Sequence, residues 1–542
     1  MAKQQVEQRF IFKINTKRLR KAKWNLTLPL SEARRNEEII ALSDSTMMRW
    51  IDELNGVCDF SERVRDIRFK INQLKRQPAS VSSKHEIGKM YDKLDEIQFR
   101  PDYMHLVIDR DSDMRRACRG FKINGVKYVR LLGTNGGIKN STVVFVSERL
   151  SSELRARIDN GHNHDVPQVP AKFEAYRALT CSGSAIVSMP KGVLLVNDCE
   201  TSFKERVITL NDENDGDPNM AIIDGFDVSL DESDGYGLIL PSLAERWSKE
   251  IGLDYVFSAC NTRFSWEKGC VFCFDFIDFA DKVAHSYIVK DAWGNDVDIR
   301  SVELVLTTSM IKLWKCYDSM EHYLACCAEN HYSFGIPKVS PKKLEDKRDL
   351  NYQFIQSYEL TDEQIEELIK PTLDDLKGAL SMDYRKALIF LCGQNMDADS
   401  ALRIDTSSVK ALMANGEMFD DPYVGDMIHR MIRRRIDDAK IGVIGVHGNY
   451  SIACGDPYAL CQSMFGLPVT GLLKAGELFN KYWIDSGSEY VACFRAPMSC
   501  HGNIKRMRVA HTDDMMYWYR YINTCTLFNA WDSTAQALNG MD

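Results

Sequence analysis

The sequence predicts an α+β multidomain protein, and three observations carry that prediction. Its 542 residues exceed what one ordinary core organises, and at roughly 150 residues per domain they suggest three or four folding units. Two β-rich blocks lie far apart in the chain, and the stretch between them has the period of helices. With 44% hydrophobic residues, 27% charged residues and only 15 prolines, the composition is that of a folded chain with large cores.

Each element follows from local pattern. Residues 1 to about 100 carry helix-like periodicity in SDSTMMRWIDEL and SERVRDIRFKINQLK, with a break at PASVSS, Pro78 to Ser83. From Tyr103 the texture turns to strands, because MHLVID, VKYVRLLG and STVVFVS are short β-branched runs between Gly and Asn turns. A second β-rich block runs from about Ala185 to Thr308, through GVLLVND, RVITLN, AIIDGFDVSL, GLILP, CVFCFDF, SYIVKD and SVELVLTTS. Helical material follows from Met310 to Met431, where Thr361 and Gln364 form a capping box ahead of an amphipathic helix. From about Ile441 strands return in IGVIGVHGNYSIACGD and SEYVACFRAPMSC, with GLLKAGELFNKYW read as a short helix between them. The boundaries are therefore 1–184 for an N-terminal α+β region, 185–330 and 441–542 for the two β blocks, and 331–440 for a helical connector.

Composition narrows the function classes. No stretch approaches the roughly 18 apolar residues of a membrane span, and the N-terminus lacks a signal-peptide centre, which predicts a cytoplasmic protein with no membrane partner. The 16 cysteines lie mostly in apolar runs, Cys326, Cys327 and Cys392 among them, and read as buried thiols without a disulfide framework. A net charge of −8 argues against nucleic-acid binding by bulk charge but leaves room for a local basic channel. The first ninety residues are basic, which fits either a phosphate-contacting surface or solvated helix faces.

Several motifs have plain structural readings. Glu213-Asn214-Asp215-Gly216-Asp217 and Asp397-Ala398-Asp399 read as acidic turns. Cys270 and Cys273 form half a zinc motif with no partner half, and the alternation CVFCFDF reads as a buried strand. His162 and His164 in DNGHNHD are of a type that binds metals, but the segment reads first as a polar loop. No phosphate-binding loop of the Walker type and no GxGxxG before a helix is present.

The motifs that remain carry a resemblance. HGNYSIACGDPYALCQSMFGLPVTGLLKAGELF, then FRAPM, then LNGMD resembles in order the second double-psi β-barrel of RNA polymerase large subunits, which ends in an aspartate cluster D-x-D-G-D. SDGYGLILPSLAERW, TRFSWEKGCVF and TTSMIKLW resemble the RNA-dependent RNA polymerases of RNA silencing and the single-chain phage RNA polymerases, with their Asp-Gly-x-Gly, Lys-Gly and Ser-Met-x-Lys motifs in the same order. The resemblance covers residues 185 to 542 and leaves out the first 180.

It implies two double-psi β-barrels joined by the helical connector, and template-dependent transfer of ribonucleotides from ribonucleoside triphosphates to an RNA 3′ end, with pyrophosphate released. The template is DNA or RNA. Lys268 and Lys312 would meet phosphate charge, and Arg495 the incoming nucleotide near its ribose hydroxyls. Asp542 would be the first of three carboxylates holding two Mg²⁺ ions, and Asn539 is offset by one from the asparagine some relatives place before the first aspartate. Because the sequence stops at Asp542, the remaining x-Asp-Gly-Asp is expected from a missing C-terminal segment or a second chain, and this chain alone is expected to be inactive. The alternatives are a non-catalytic nucleic-acid-binding protein on a polymerase-like scaffold and, more weakly, a metal-dependent nuclease around Glu213 to Asp217. A phage or bacterial origin fits the phage resemblance.

Overall fold

The computed structural model describes residues 8–57, 60–78, 80–211, 219–232, 234–381, 383–392, 407–498 and 500–538. It is a mixed α+β chain that divides into two compact units, Met1–Asn197 with Gly235–Val339, and Asp198–Asp234 with Ser340–Asp542.

The first unit contains two seven-stranded mixed sheets. In the N-terminal sheet, Arg9–Asn15 runs parallel to Phe99–Val107 and antiparallel to Ile39–Leu42. These early strands correct the all-helical reading of the first hundred residues. The run RFIFKIN places Ile11 and Phe12 in the interior and then alternates Lys13 out and Ile14 in, a short period-two signal between stronger helical ones. The expected helices are present at Thr46–Leu54 and Ser61–Lys75. The break at PASVSS is a helix start, where Ser80 caps Val81–Gln98 through a reciprocal box with Ser83. Phe12, Ile14, Met104, Leu106, Phe121, Tyr128 and Phe145 form the core of this region. Part of its basic character is neutralised internally, since Arg9 and Arg100 both bind the buried Asp52 carboxylate and Arg20 binds Asp109.

The second sheet has the order Ala185–Ile186, Gly335–Ile336, Ala259–Arg263, Lys268–Cys273, Tyr236–Ile239, Leu304–Thr307, Val193–Val196. Two of its pairings are parallel, Tyr236–Ile239 with Lys268–Cys273 and Leu304–Thr307 with Val193–Val196. The CVFC alternation lies in the strand Lys268–Cys273, with Cys273 buried.

In the second unit Glu200–Asn211 and Asn219–Asp231 pair as a long antiparallel hairpin. The helical stretch includes Asp362–Leu380, capped by the Thr361–Gln364 box that the sequence predicts, and Pro422–Lys440. Leu376, Ala379, Leu412, Val424, Ile428 and Ile432 form its core. A five-stranded mixed sheet follows, in the order Ile452–Cys454, Cys525–Phe528, Glu477–Phe479, Ile504–Val509, Tyr490–Phe494. GLLKAGELFNKYW is not one helix. It holds the strand Glu477–Phe479, and only Lys481–Asp485 is helical, started by the Asn480 side chain accepting from the Trp483 amide.

Candidate functional site

In the first unit the three motifs of the second sheet interlock through their backbones. Glu267 and Ile311 form an isolated antiparallel bridge. On either side of it the Lys268 amide donates to the Met310 carbonyl at 3.1 Å and the Lys312 amide to the Trp266 carbonyl at 3.0 Å. Two lysines far apart in sequence therefore flank one pairing point. The Gly235 amide donates to Ser309 Oγ at 2.8 Å, and the Cys270 amide to the Gly235 carbonyl at 2.9 Å.

The motif glycines have a steric cause. A Cβ at Gly237 would sit 2.2 Å from the Val305 carbonyl oxygen, and one at Gly269 would sit 2.6 Å from that of Gly235. Any side chain there would push apart the strand that carries Lys268 and its neighbours in the sheet. Met310, fully buried, fills the space the two glycines leave.

The turn before Lys268 is held by aromatic packing. Phe264 stacks on Phe334 at 4.2 Å, Trp266 stacks on Phe173 at 5.6 Å, and Trp266 Nε1 donates to the Tyr317 hydroxyl at 3.0 Å. Such packing fixes the backbone before any ligand arrives. His162 belongs to this cluster, its ring 5.7 Å from Trp266 and 4.1 Å from His164. DNGHNHD is a loop, as the sequence predicts, but His162 is buried in it against Phe173 and Trp266. Lys268 is exposed, and no carboxylate pairs with it among the described residues. With Arg263, Ser43, Tyr103 and His105 it lines a cavity of about 560 Å³.

Glu267, the residue between these features, is fully buried. Its Oε1 accepts from Thr262 Oγ1 at 2.6 Å, while Oε2 has no hydrogen-bond partner among the described residues. Burial pushes its carboxyl up to about 7, against the opposing pull of the Thr262 hydroxyl, Arg263, the Phe264 amide and Lys312. In the sequence Glu267 stands out only as the neighbour of Lys268, because spacing carries no signal of burial.

In the second unit Arg495 follows the strand Tyr490–Phe494 and is half-buried. Its guanidinium reaches the Leu538 carbonyl at 3.5 Å, and Asn503 Nδ2 donates to the Ala537 carbonyl at 2.6 Å. Leu538 is itself packed with Leu478, Met507, Val509 and Phe528. The stem leading to Asn539 and Asp542 is therefore anchored beside Arg495. Asn539 and Asp542 themselves lie outside the described residues, as do Glu213 to Asp217 and Asp397 to Asp399.

The GDP turn of the same unit is built around Asp456, which is buried. Its Oδ1 accepts from the Tyr519 hydroxyl at 2.5 Å and the Tyr458 amide at 2.9 Å, and its Oδ2 accepts from the Leu472 amide at 2.7 Å. Gly471, at φ +60°, passes so close that a Cβ would meet Asp456 Oδ2 at 2.7 Å. Burial pushes the Asp456 carboxyl up, opposed by these donors. Its oxygens are occupied, so this acid clamps a loop. Among the described residues no three His, Cys, Asp or Glu side chains converge into a group able to hold a metal ion, and no helix is long and apolar enough to cross a membrane.

A family model described as RNA dependent RNA polymerase matches residues 61–531, which takes in much of the N-terminal region that the sequence motifs left out. The DNA-directed RNA polymerase YonO of Bacillus phage SPbeta is 27% identical over 398 residues, covering 70% of this chain and 43% of the phage protein. The solved RNA dependent RNA polymerase QDE-1 from Thielavia terrestris shares the fold, with a TM-score of 0.53 at 14% identity, covering 81% of this chain and 47% of that one. The chain thus spans less than half the length of each of these relatives. With interlocked Gly, Lys and Ser-Met motifs and a family match that runs through both units, the chain belongs to the RNA-dependent RNA polymerase family, within the two-barrel superfamily of RNA polymerases.

Proposed function

We propose that this chain is the core of a template-dependent RNA polymerase that adds ribonucleotides to an RNA 3′ end and releases pyrophosphate. In this reading residues 185–330 and 441–542 are the two double-psi β-barrels, 331–440 joins them, and 1–184 is an N-terminal α+β region. The observation that supports it is the lysine bridge, since two lysines whose backbones are held at one pairing point suit the charge that develops on a triphosphate as it is cleaved. Cations positioned before the reaction need no reorganisation during it, which is where their contribution to the barrier lies. Arg495 has the role of orienting the incoming nucleotide near its ribose, and Asn539 is kept as a second candidate for substrate binding.

The described residues supply no set of ligands for Mg²⁺, and the reading keeps Asp542 as its candidate ligand. The phage relative carries a DNA-directed name and the fungal structure an RNA-dependent one, so both templates belong in the assay. In primed extension with labelled ribonucleotides on DNA and on RNA, the natural full-length product should make RNA on at least one template. Lys268→Ala and Lys312→Ala should each slow incorporation at least about tenfold, near 1.4 kcal/mol of barrier. Full-rate synthesis by either variant would remove the roles assigned to these lysines, and template binding without incorporation by the unmutated protein would favour the non-catalytic alternative.

A further inference from the structure

We propose that the cavity between the two sheets of the first unit is a nucleotide site, in which Arg263 and Lys268 hold the phosphates and the apolar wall of Leu42, Met48 and Leu179 takes the nucleoside. The inference adds a ligand site to the proposed function and does not use the part assigned to Lys268 in synthesis. The cavity measures about 560 Å³, more than a bare phosphate ion fills and within the range of small-molecule pockets, roughly 300–1,000 Å³. Its walls come from the strands Ile39–Leu42 and Phe99–Val107 of the N-terminal sheet, from the segment around Leu179 and Ser182, and from the strands Ala259–Arg263 and Lys268–Cys273 of the second sheet. Among the described residues none of the second unit lines it.

Arg263 and Lys268 are paired directly across their two strands, so both side chains leave the same face of the sheet. Glu267, one residue along, lies on the other face, where Thr262 holds it at 2.6 Å. No Asp or Glu lines the cavity among the described residues, and neither Arg263 nor Lys268 forms an ion pair there. Asp44, next in sequence to the lining residues Ser43 and Ser45, is engaged by Arg9 at 3.0 Å and Arg49 at 2.9 Å. The half-buried Arg263 gives one guanidinium nitrogen to the Thr262 carbonyl at 2.6 Å, while its buried Nε has no hydrogen-bond partner among the described residues. A buried donor left open costs stability until an acceptor reaches it. Burial pushes the Tyr103 hydroxyl and the Cys181 thiol up and the His105 ring down to about 4, so all three are neutral at pH 7 and two cations set the charge of the walls. That charge selects an anion. The apolar wall leaves room for a base, and His105, Ser43 and Ser182 supply donors and acceptors for its edge or for a ribose. A free nucleoside triphosphate and the 5′-phosphorylated end of an RNA strand both offer this chemistry.

The test is equilibrium binding of labelled ATP to the 542-residue chain without template or divalent metal, beside inorganic tripolyphosphate and a 5′-phosphorylated RNA tetranucleotide. ATP should bind at least about tenfold more tightly than tripolyphosphate, because only ATP covers the apolar wall. The tetranucleotide separates the two sources: competition with ATP assigns the site to a strand end as well, absence of competition restricts it to the free nucleotide, and either result keeps a nucleotide site. Arg263→Met removes a cation and Ala178→Phe enlarges a wall residue into the cavity; each should weaken ATP binding at least about tenfold. Photolabelling of the unmutated chain with 8-azido-ATP covers the case of a variant that fails to fold, and the label should fall in peptides that hold residues 41–48 or 178–183. Tripolyphosphate binding as tight as ATP binding, an unchanged Kd for ATP in both variants, or label only outside these segments would overturn the assignment. Primed extension by Lys268→Ala reports the proposed function separately. Full-rate synthesis by that variant, with ATP binding lost in Ala178→Phe, would remove the role of Lys268 in synthesis and leave the cavity as assigned.

Discussion

The lysine bridge and the Asp456 clamp are both built from motif residues, yet they use them in opposite ways. At the bridge the backbone is tightly interlocked, and the charged side chain of Lys268 stays exposed and without a carboxylate partner among the described residues. At the clamp the charged side chain is buried and three donors occupy its oxygens. A motif acid or base that is saturated by its own fold stabilises structure, whereas one that is positioned but unsaturated is available to a ligand. The contrast separates architecture from chemistry among residues that look equivalent in a motif list.

The largest effect is expected at the clamp. Asp456→Ala would leave the Tyr519 hydroxyl and the Tyr458 and Leu472 amides buried without an acceptor, at about 1–3 kcal/mol each and about 3 kcal/mol or more together. The measurement is chemical denaturation combined with hydrogen exchange at the Leu472 amide, which should lose protection. Tyr519→Phe removes one partner only and should cost about 1 kcal/mol. A neutral Asp456→Ala would mean that the GDP turn is not structural, and the contrast with the bridge would collapse.

The next effect concerns acid response in the first unit. Burial depresses His105 to about 4 from an ordinary 6.5, while Glu267 is raised to about 7 from 4.5. The unfolded chain binds the His105 proton more readily than the folded one, so stability linked to His105 falls as pH drops from 6.5 toward 4. For Glu267 the folded state binds the proton more readily, so its contribution is present at low pH and falls as pH rises from 4.5 through 7. Each effect is at most roughly 3 kcal/mol, and they oppose one another. In His105→Leu the first is removed, and the first unit should become more stable as pH falls from 7 to 4.5, read by denaturation midpoints across that range. Equal pH slopes in the mutant and the unmutated chain would show that His105 is not held neutral by the fold.

Legibility in the sequence followed the range of the interaction that decides each feature. The capping box at Thr361 and Gln364 and the strand Lys268–Cys273 were readable because both depend on neighbours within a few residues. The early strand Arg9–Asn15 was missed because its partners, Phe99–Val107 and Ile39–Leu42, are what make it a strand. Lys268 and Lys312 were singled out by motif order, but their placement on either side of one bridge is a long-range fact. Glu267, Asp456 and His162 show the same limit from the other side. Their type and position were plain, while their burial, which decides what each does, comes from residues distant in the chain.

The smallest expected effect tests the bridge against its own logic. If Lys268 is unsaturated because it serves a ligand, then removing its charge should leave folding nearly untouched, since its amide bond to Met310 is independent of the side chain. Lys268→Met keeps the aliphatic stem and should change the unfolding free energy by no more than about 0.5 kcal/mol, as expected for an exposed residue away from caps, cores and ion pairs. Asp456→Ala under the same conditions sets the scale of a structural motif residue. A loss at Lys268→Met as large as that at Asp456→Ala, measured in the same denaturant, would place both residues in the architecture. The exposed ammonium group would then have to be explained by packing that its exposure does not indicate.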